Sequence, residues 1–339
     1  ARGHRYGFFP SVSAGWRINE EKFFAPLRKQ ISNLKLRFSL GALGNQQVGY
    51  YDYLQTISSG GTISYAFGDK NKASGASISA PNASDFTWET VVTKNIGLDL
   101  GLLNNRLNMT ADIYVRDTKD MLMASKDLPN VYGASSPKTN AANLRTKGWE
   151  ASISWNDSFN LKGKAFHYSV VLGLADNTTK VTKYNNDNKT LGTPYEGQQL
   201  GEIWGYVVDG LFKTDEEAEN YPVNQSYVNN ILNISVKSQG LHAGDVKYVD
   251  LDGDNIPTLS ANDVKDQKVI GNSLPRYTYS VRLAADWNGI DFSALLQGVG
   301  RQHWYPNGET SLFWGPYARP YCTFIPKDFL TDVWSEDNP

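Results

Sequence analysis

One run in the chain has residue types and spacing suited to binding a cation: Asp250-Leu-Asp252-Gly-Asp254-Asn-Ile256. Carboxylates at the first, third and fifth positions of a turn can converge on a hard cation, and the backbone carbonyl of the seventh, Ile256, supplies a further oxygen. Such loops usually place glycine sixth. Asn255 stands there instead, and asparagine also tolerates the left-handed region. The twelfth position is Ala261 rather than an acid, so Asp263 would have to close the site through a longer loop. The expected ligand is a structural Ca2+ that pins a long polar segment. The competing reading is an Asp/Asn/Gly surface turn without an ion.

A second cluster is aromatic. Trp304, Tyr305, Phe313, Trp314, Tyr317 and Tyr321 crowd one polar stretch near the end of the chain. Ring faces stack on sugars or peptides, and the same residues enrich protein interfaces. Packing within the loop or onto a covering protein is the plainer reading of the set.

Catalytic constellations are missing. His4, His167, His242 and His303 are scattered, and no HExxH, G-x-S-x-G, P-loop or G-x-G-x-x-G occurs, so neither an enzyme nor a redox or nucleotide cofactor is expected. The single cysteine, Cys322, rules out an intramolecular disulfide framework and a multi-cysteine metal site. Lys+Arg 33 against Asp+Glu 35 leaves a net charge of −2, which argues against a nucleic-acid partner.

The elements that must position these residues are strands. Eight stretches alternate apolar and polar residues, beginning near Phe8, Leu34, Ile96, Leu107, Trp149, Phe166, Tyr279 and Ile290. In the stretch from Leu107 to Arg116, for example, Met109, Ala111, Ile113 and Val115 oppose Thr110, Asp112 and Tyr114. Strict alternation means a sheet with one apolar and one polar face. About nine residues at ~3.3 Å each and ~40° tilt cover about 25 Å, the height of the apolar band of an outer-membrane barrel. Tight turns at Asn104-Asn105, residues 160–164 and Asn288-Gly289 contrast with long polar connections at about 43–88, 122–145, 176–275 and 302–339. The connection from Asn19 to Asn33 has room for a helical turn. Short turns on one side and long loops on the other mark a transmembrane barrel. A soluble β-sandwich, with the apolar faces sharing a core, is the alternative. The polar face carries Lys35, Arg37, Asp99, Asp112, Arg116, Glu150, Arg282, Asp286 and Asp291, which are expected to be solvated in a wide lumen. Counting strand directions puts both chain ends on the long-loop side, so the chain reads as an arc of a larger barrel and as part of a longer protein.

Seven motifs stand in order: residues 6–16 (YGFFPSVSAGW) with 34–46 (LKLRFSLGALGNQ); Trp88-Glu89 with 95–99 (NIGLD); 143–150 (NLRTKGWE); Gly205-Tyr206 with 209–212 (DGLF); 244–248 (GDVKY); 269–272 (VIGN); and 275–278 (PRYT). Together they resemble the SusC/RagA family of TonB-dependent outer-membrane transporters. The resemblance implies an all-β, antiparallel transmembrane barrel of 22 strands, of which the chain supplies about eight, the twelfth to the nineteenth. The plug and the segment gripped by the TonB complex would lie outside it. It further implies a bacterial outer-membrane location with the long loops extracellular. The implied function is TonB-dependent import of a large nutrient, a glycan oligosaccharide more than a peptide, with a SusD-like lipoprotein as lid. The same family often carries a D-x-N/D-G-D-G loop like that at Asp250. Arg145 and Lys147 fall on the outward parity just above the apolar band, where lipopolysaccharide phosphates are candidate partners beside plain solvent. Competing functions are a surface or adhesive β-protein without transport and a soluble sugar-binding β-domain.

Overall fold

The computed structural model describes residues 6–45, 56–67, 71–78, 87–124, 131, 138–225, 241–257, 264–306, 327, 331 and 333–338. In chain order the strands are β1 (Ser11–Arg17), β2 (Ile31–Asn45), β3 (Ile57–Phe67), β4 (Asn71–Ile78), β5 (Glu89–Leu102), β6 (Leu107–Ala124), β7 (Lys138–Leu161), β8 (Lys164–Lys183), β9 (Glu202–Tyr206), β10 (Val208–Leu211), β11 (Val246–Tyr248), β12 (Gln267–Asn272), β13 (Arg276–Trp287) and β14 (Ile290–Arg301). A five-residue helix, α1 (Asp215–Glu219), lies between β10 and β11. The chain divides into two compact units, one of Ala1–Asp187, Pro194–Leu200 and Pro275–Arg301 and the other of Asn188–Thr193, Gly201–Leu274 and Gln302–Pro339.

The first unit holds an antiparallel eight-stranded sheet in the order β1-β2-β5-β6-β7-β8-β13-β14. Its members are the eight alternating stretches, joined as simple neighbours. β3 and β4 pair only with each other, within the first long connection. The short links have the turn residues their backbones need. Asn104, Asn105 and Asn288 have φ of 57°, 63° and 49°, and Gly163 and Gly289 have 75° and 84°. On the same side, Ile18–Glu20 and Lys22–Leu27 form 3₁₀ turns between β1 and β2. Asn19 is buried there and its Oδ1 accepts the Leu34 N–H at 3.2 Å.

Cross-strand register turns the alternation into a continuous apolar face. One row across the sheet reads Leu34, Leu100, Met109, Ile153, Leu172, Val281 and Leu296. The row above it begins Leu36, Leu98, Ala111, Ala151 and Leu174. Nothing among the described residues covers this face: Ile113 and Ile290 are each 68% exposed and Phe292 59%. A sandwich would bury these side chains against a second sheet. The band also slides along the sheet. Leu34 stands near the short-turn end of the band on β2, yet it shares its row with Leu296 at the other end of the band on β14. That is a slide of about one residue per strand. With ~3.3 Å per residue and ~4.8 Å between strands, a level apolar belt requires a strand tilt of about 35°, as in membrane barrels.

The second unit carries regular structure where the sequence alone shows one long polar loop. β9 pairs with β12 and β10 with β11. Phe212 is fully buried and meets Tyr221 edge-on at 5.1 Å. The Gln225 side chain, 2% exposed, donates to the Val246 carbonyl and accepts from the Tyr248 N–H, each at 2.9 Å. Thr214 caps α1 by accepting from Glu217 N–H at 3.1 Å, and the Glu217 carboxylate accepts the Lys213 N–H at 2.8 Å.

Ala111 lies near the middle of the apolar stretch on β6, with Val115 near its upper end and Thr110 on the opposite face. In the whole protein, Ala111→Arg should destabilise the folded barrel by about 2–4 kcal/mol and Val115→Arg by about 0–1 kcal/mol. Thr110→Arg should leave stability nearly unchanged. Denaturant unfolding in lipid vesicles reads all three, and equal losses at positions 110 and 111 would refute the lipid-facing assignment.

Candidate functional site

In the second unit the chain leaves β11 at Tyr248 and turns sharply at Asp250. Asp250 organises the turn. Its Oδ1 accepts from Asp252 N–H at 3.1 Å and Gly253 N–H at 2.8 Å, and its Oδ2 accepts from Asn255 N–H at 2.8 Å. Asp252 and Asp254 each accept from the residue two ahead, at 3.2 and 2.8 Å. Gly253 and Asn255 sit at φ of 87° and 62°, so asparagine does fill the left-handed place usually given to glycine. The N–H bonds from Asn255 and Gly253 hold the Asp250 carboxyl below the usual carboxylate range.

A fourth carboxylate completes the group. Asp266, fully buried just before β12, accepts the Leu251 N–H at 2.9 Å. Ligand oxygens of Asp250, Asp252, Asp254 and Asp266 all lie within 4.8 Å of one another. The set is all oxygen and fits a hard cation rather than a thiophilic one. Lys265 Nζ lies 3.6 Å from Asp252. Asp263, expected to close the site, lies outside the described residues. Loop spacing does not point to Asp266, which stands sixteen residues beyond Asp250; its only signal is an acid at the start of the next apolar strand. Ile256 is in the turn and donates its N–H to Asp254.

Of the aromatic cluster, Trp304 and Tyr305 are described and stand 71% and 62% exposed. Phe313, Trp314, Tyr317 and Tyr321 lie outside the described residues. Just before the pair, His303 Nδ1 lies 3.2 Å from the Asn272 amide nitrogen and 3.3 Å from its carbonyl oxygen.

The polar face of the sheet departs from expectation. Its charges are not all separately solvated. Arg37 on β2 donates from Nε to both Asp99 oxygens at 3.1 and 3.0 Å, and from Nη2 to Asp112 at 2.8 Å. Asn95 donates to the other Asp112 oxygen at 2.7 Å, and Asp112 is only 7% exposed. Three neighbouring strands are thereby tied across their ladder. Gly97 makes room: a Cβ there would fall 2.4 Å from Asp112 Oδ1 and 2.7 Å from Arg37 Cζ.

These features belong to a known architecture. A profile described as TonB dependent receptor-like, beta-barrel matches residues 2–324. The chain belongs to the TonB-dependent receptor-like β-barrel family. TonB-dependent receptor P39 of Formosa agariphila is 29% identical over 322 residues, which cover 86% of this chain and 29% of that protein. TonB-dependent receptor SusC of Bacteroides thetaiotaomicron is 32% identical over 187 residues, covering 54% of this chain and 18% of SusC. Among solved structures, the RagAB peptide transporter superposes with a TM-score of 0.63 at 23% identity, over 88% of this chain and 29% of that one. The RagAB peptide importer in its closed-closed state gives 0.63 at 21%. The chain thus spans about a third or less of the curated relatives it matches. TonB-dependent receptor barrels reside in the outer membrane, and the family is one of transporters rather than enzymes. Membership agrees with the antiparallel sheet and its uncovered apolar face.

Arg37→Met strands two carboxylates and should lower barrel stability by about 1–3 kcal/mol, read from the denaturant midpoint; Gly97→Ala should act in the same direction. Because the Asp250 carboxyl titrates lower in the folded state, its contribution is present above the unfolded value near 3.9 and is lost as pH falls through the lower folded value. Hydrogen-exchange protection of residues 250–257 should therefore hold at pH 5 to 7 and collapse only below about pH 4.

Proposed function

We propose that the whole protein imports a large nutrient across the outer membrane, powered through the TonB complex, with this chain supplying about eight strands of a 22-stranded wall. The observation that carries the reading is the exposed apolar face of a sheet whose other face is polar and ion-paired. A soluble domain would have to leave that face in water. The long connections stand on the extracellular side in this reading. A SusD-like lipoprotein closes over them. A glycan oligosaccharide is favoured over a peptide as the cargo, on the resemblance to the SusC/RagA family. The RagAB neighbours are peptide transporters by name, but at 23% identity they speak for the fold and not for the cargo.

The aromatic cluster of Trp304, Tyr305, Phe313, Trp314, Tyr317 and Tyr321 serves the lid or the packing of its own loop rather than the ligand directly. Aromatic rings give large contact area with few torsions to freeze. The carboxylate turn holds a structural Ca2+ through Asp250, Asp252, Asp254 and Asp266, with Ile256 and Asp263 as further candidates. The ion would tie the 250–257 turn to the segment entering β12.

With Trp304→Ala/Trp314→Ala in the whole protein, lid capture should fall first, and oligosaccharide binding should fall only as its consequence. Ligand contact instead would cost about 1–2 kcal/mol per ring with lid capture intact. Unchanged lid capture, ligand affinity and uptake would remove the loop from function. For the metal, the purified protein, never exposed to chelator, should contain near-stoichiometric calcium. Asp250→Asn/Asp254→Asn should lose it and open residues 241–274 to protease without unfolding the barrel. Absence of any bound divalent cation in the unsubstituted protein would retire the metal.

A further inference from the structure

The apolar face ends upward in a cluster of cations that only the register reveals. Lys94 on β5 and Lys147 on β7 share one row, separated by Val115 on β6. The next row up carries Val92, Asp117, Arg145 and Lys180. One row higher, Lys119 pairs with Thr90. All five cations are exposed and share the face of the apolar row formed by Phe38, Ile96, Ile113 and Trp149 directly below. The strands lie ~4.8 Å apart and the rows ~6.6 Å, so the group fits within a patch of about 15 by 13 Å.

Charge in the patch is one-sided. Its one carboxylate, Asp117, is 9% exposed and already accepts from Arg145 Nε at 2.5 Å. Lys94 and Lys119 lie close enough to act on the same carboxylate. Among the described residues none of the four lysines has an ion-pair partner of its own within 4.0 Å. The next acid on this face, Asp176, is held by both Arg276 nitrogens. Such a group of cations, left in water, gains nothing from its crowding; set at a bilayer interface, long lysine stems lie along apolar surface with the ammonium at headgroup level.

Resting on the barrel reading above, we infer that Lys94, Lys119, Arg145, Lys147 and Lys180 form a binding site for the phosphate-bearing headgroup of an outer-leaflet glycolipid. The surface is complementary to such a lipid at two heights. Acyl chains match the apolar rows through Ile96, Ile113 and Trp149, and phosphates match the cations immediately above. An ion without acyl chains fills only half of that surface. The Arg145–Asp117 pair fixes the central cation in place, while the lysines around it adapt to the headgroup. The site would seat the barrel at a defined depth and orientation in an asymmetric membrane.

The test uses the whole protein in detergent, with bis-phosphorylated lipid A, the same lipid after phosphatase treatment, and inorganic phosphate as probes. Native mass spectrometry and titration measure binding, and heat-modifiable gel migration checks folding. Lys94→Gln/Lys147→Gln/Lys180→Gln leaves the Arg145–Asp117 pair intact. It should weaken lipid A binding on the order of 100-fold, about fivefold for each cation removed. The phosphatase-treated lipid should bind both proteins equally weakly. Lys35→Gln/Arg116→Gln/Arg282→Gln, on the polar face, should bind lipid A like the unsubstituted protein. Undiminished binding by the first variant overturns the site while leaving the barrel reading intact. Equal loss in the polar-face variant overturns the face assignment itself. Inorganic phosphate competing at the same concentrations as lipid A would make this an ion site and not a lipid site.

Discussion

A sheet with one apolar face has to put that face against something that is not water. Here the chain supplies no second layer for it among the described residues, and the rest of the structure is arranged around that fact. The face runs across seven strands in register, from Leu34 to Leu296, and it slides along the strands by the amount that tilted barrel staves require. Hydrocarbon resolves the burial problem without any protein core, and closure with further strands resolves the edges that β1 and β14 leave unpaired among the described residues. The small number of buried apolar side chains in the sheet unit is therefore a consequence of the environment and not a sign of poor packing.

The other face obeys the opposite rule. Apolar burial does not fix its side chains, so ion pairs do. Arg37 serves Asp99 and Asp112 together, and Asn95 completes the shell of Asp112. These bonds cross from β2 over β5 to β6 and resist register slippage where a one-residue shift would turn the apolar band inward. At the upper margin of the outward face the same chemistry recurs as Arg145–Asp117 and Arg276–Asp176. The wall is thus defined by lipid contact on one side, charge pairing on the other, and a charged margin above.

The strands themselves are legible in the sequence because each is a local pattern: Met109, Ala111, Ile113 and Val115 alternate with polar residues regardless of their neighbours. The turns are legible for the same reason, since Asn104-Asn105 and Asn288-Gly289 announce positive φ. Nonlocal features are hidden. Nothing in the local sequence pairs Arg37 with residues 62 and 75 positions away. Tyr277 has φ of 54° beside the Arg276–Asp176 pair, and a single backbone departure of that kind leaves no periodic trace. Asp266 joins the carboxylate turn only through the fold, across residues 258–263. The cation patch, too, exists only after four strands are set in register, although Arg145 and Lys147 are individually visible. The second unit looks like plain loop in the sequence because its strands, such as Val246–Tyr248, are too short to show a period.

The central claim is that Met109, Ala111, Ile113 and Val115 of β6 meet lipid while their even-numbered neighbours face the polar side. Nitroxide labels placed singly from residue 107 to 117 in the whole protein, reconstituted in vesicles with Cys322 replaced, test it most directly. Lipid contact on the odd face predicts oxygen collision rates that peak at 109, 111, 113 and 115, and collisions with a water-soluble nickel reagent that peak at 108, 110, 114 and 116. Equal access of both reagents at odd and even positions would contradict it, as would oxygen maxima on the even ones.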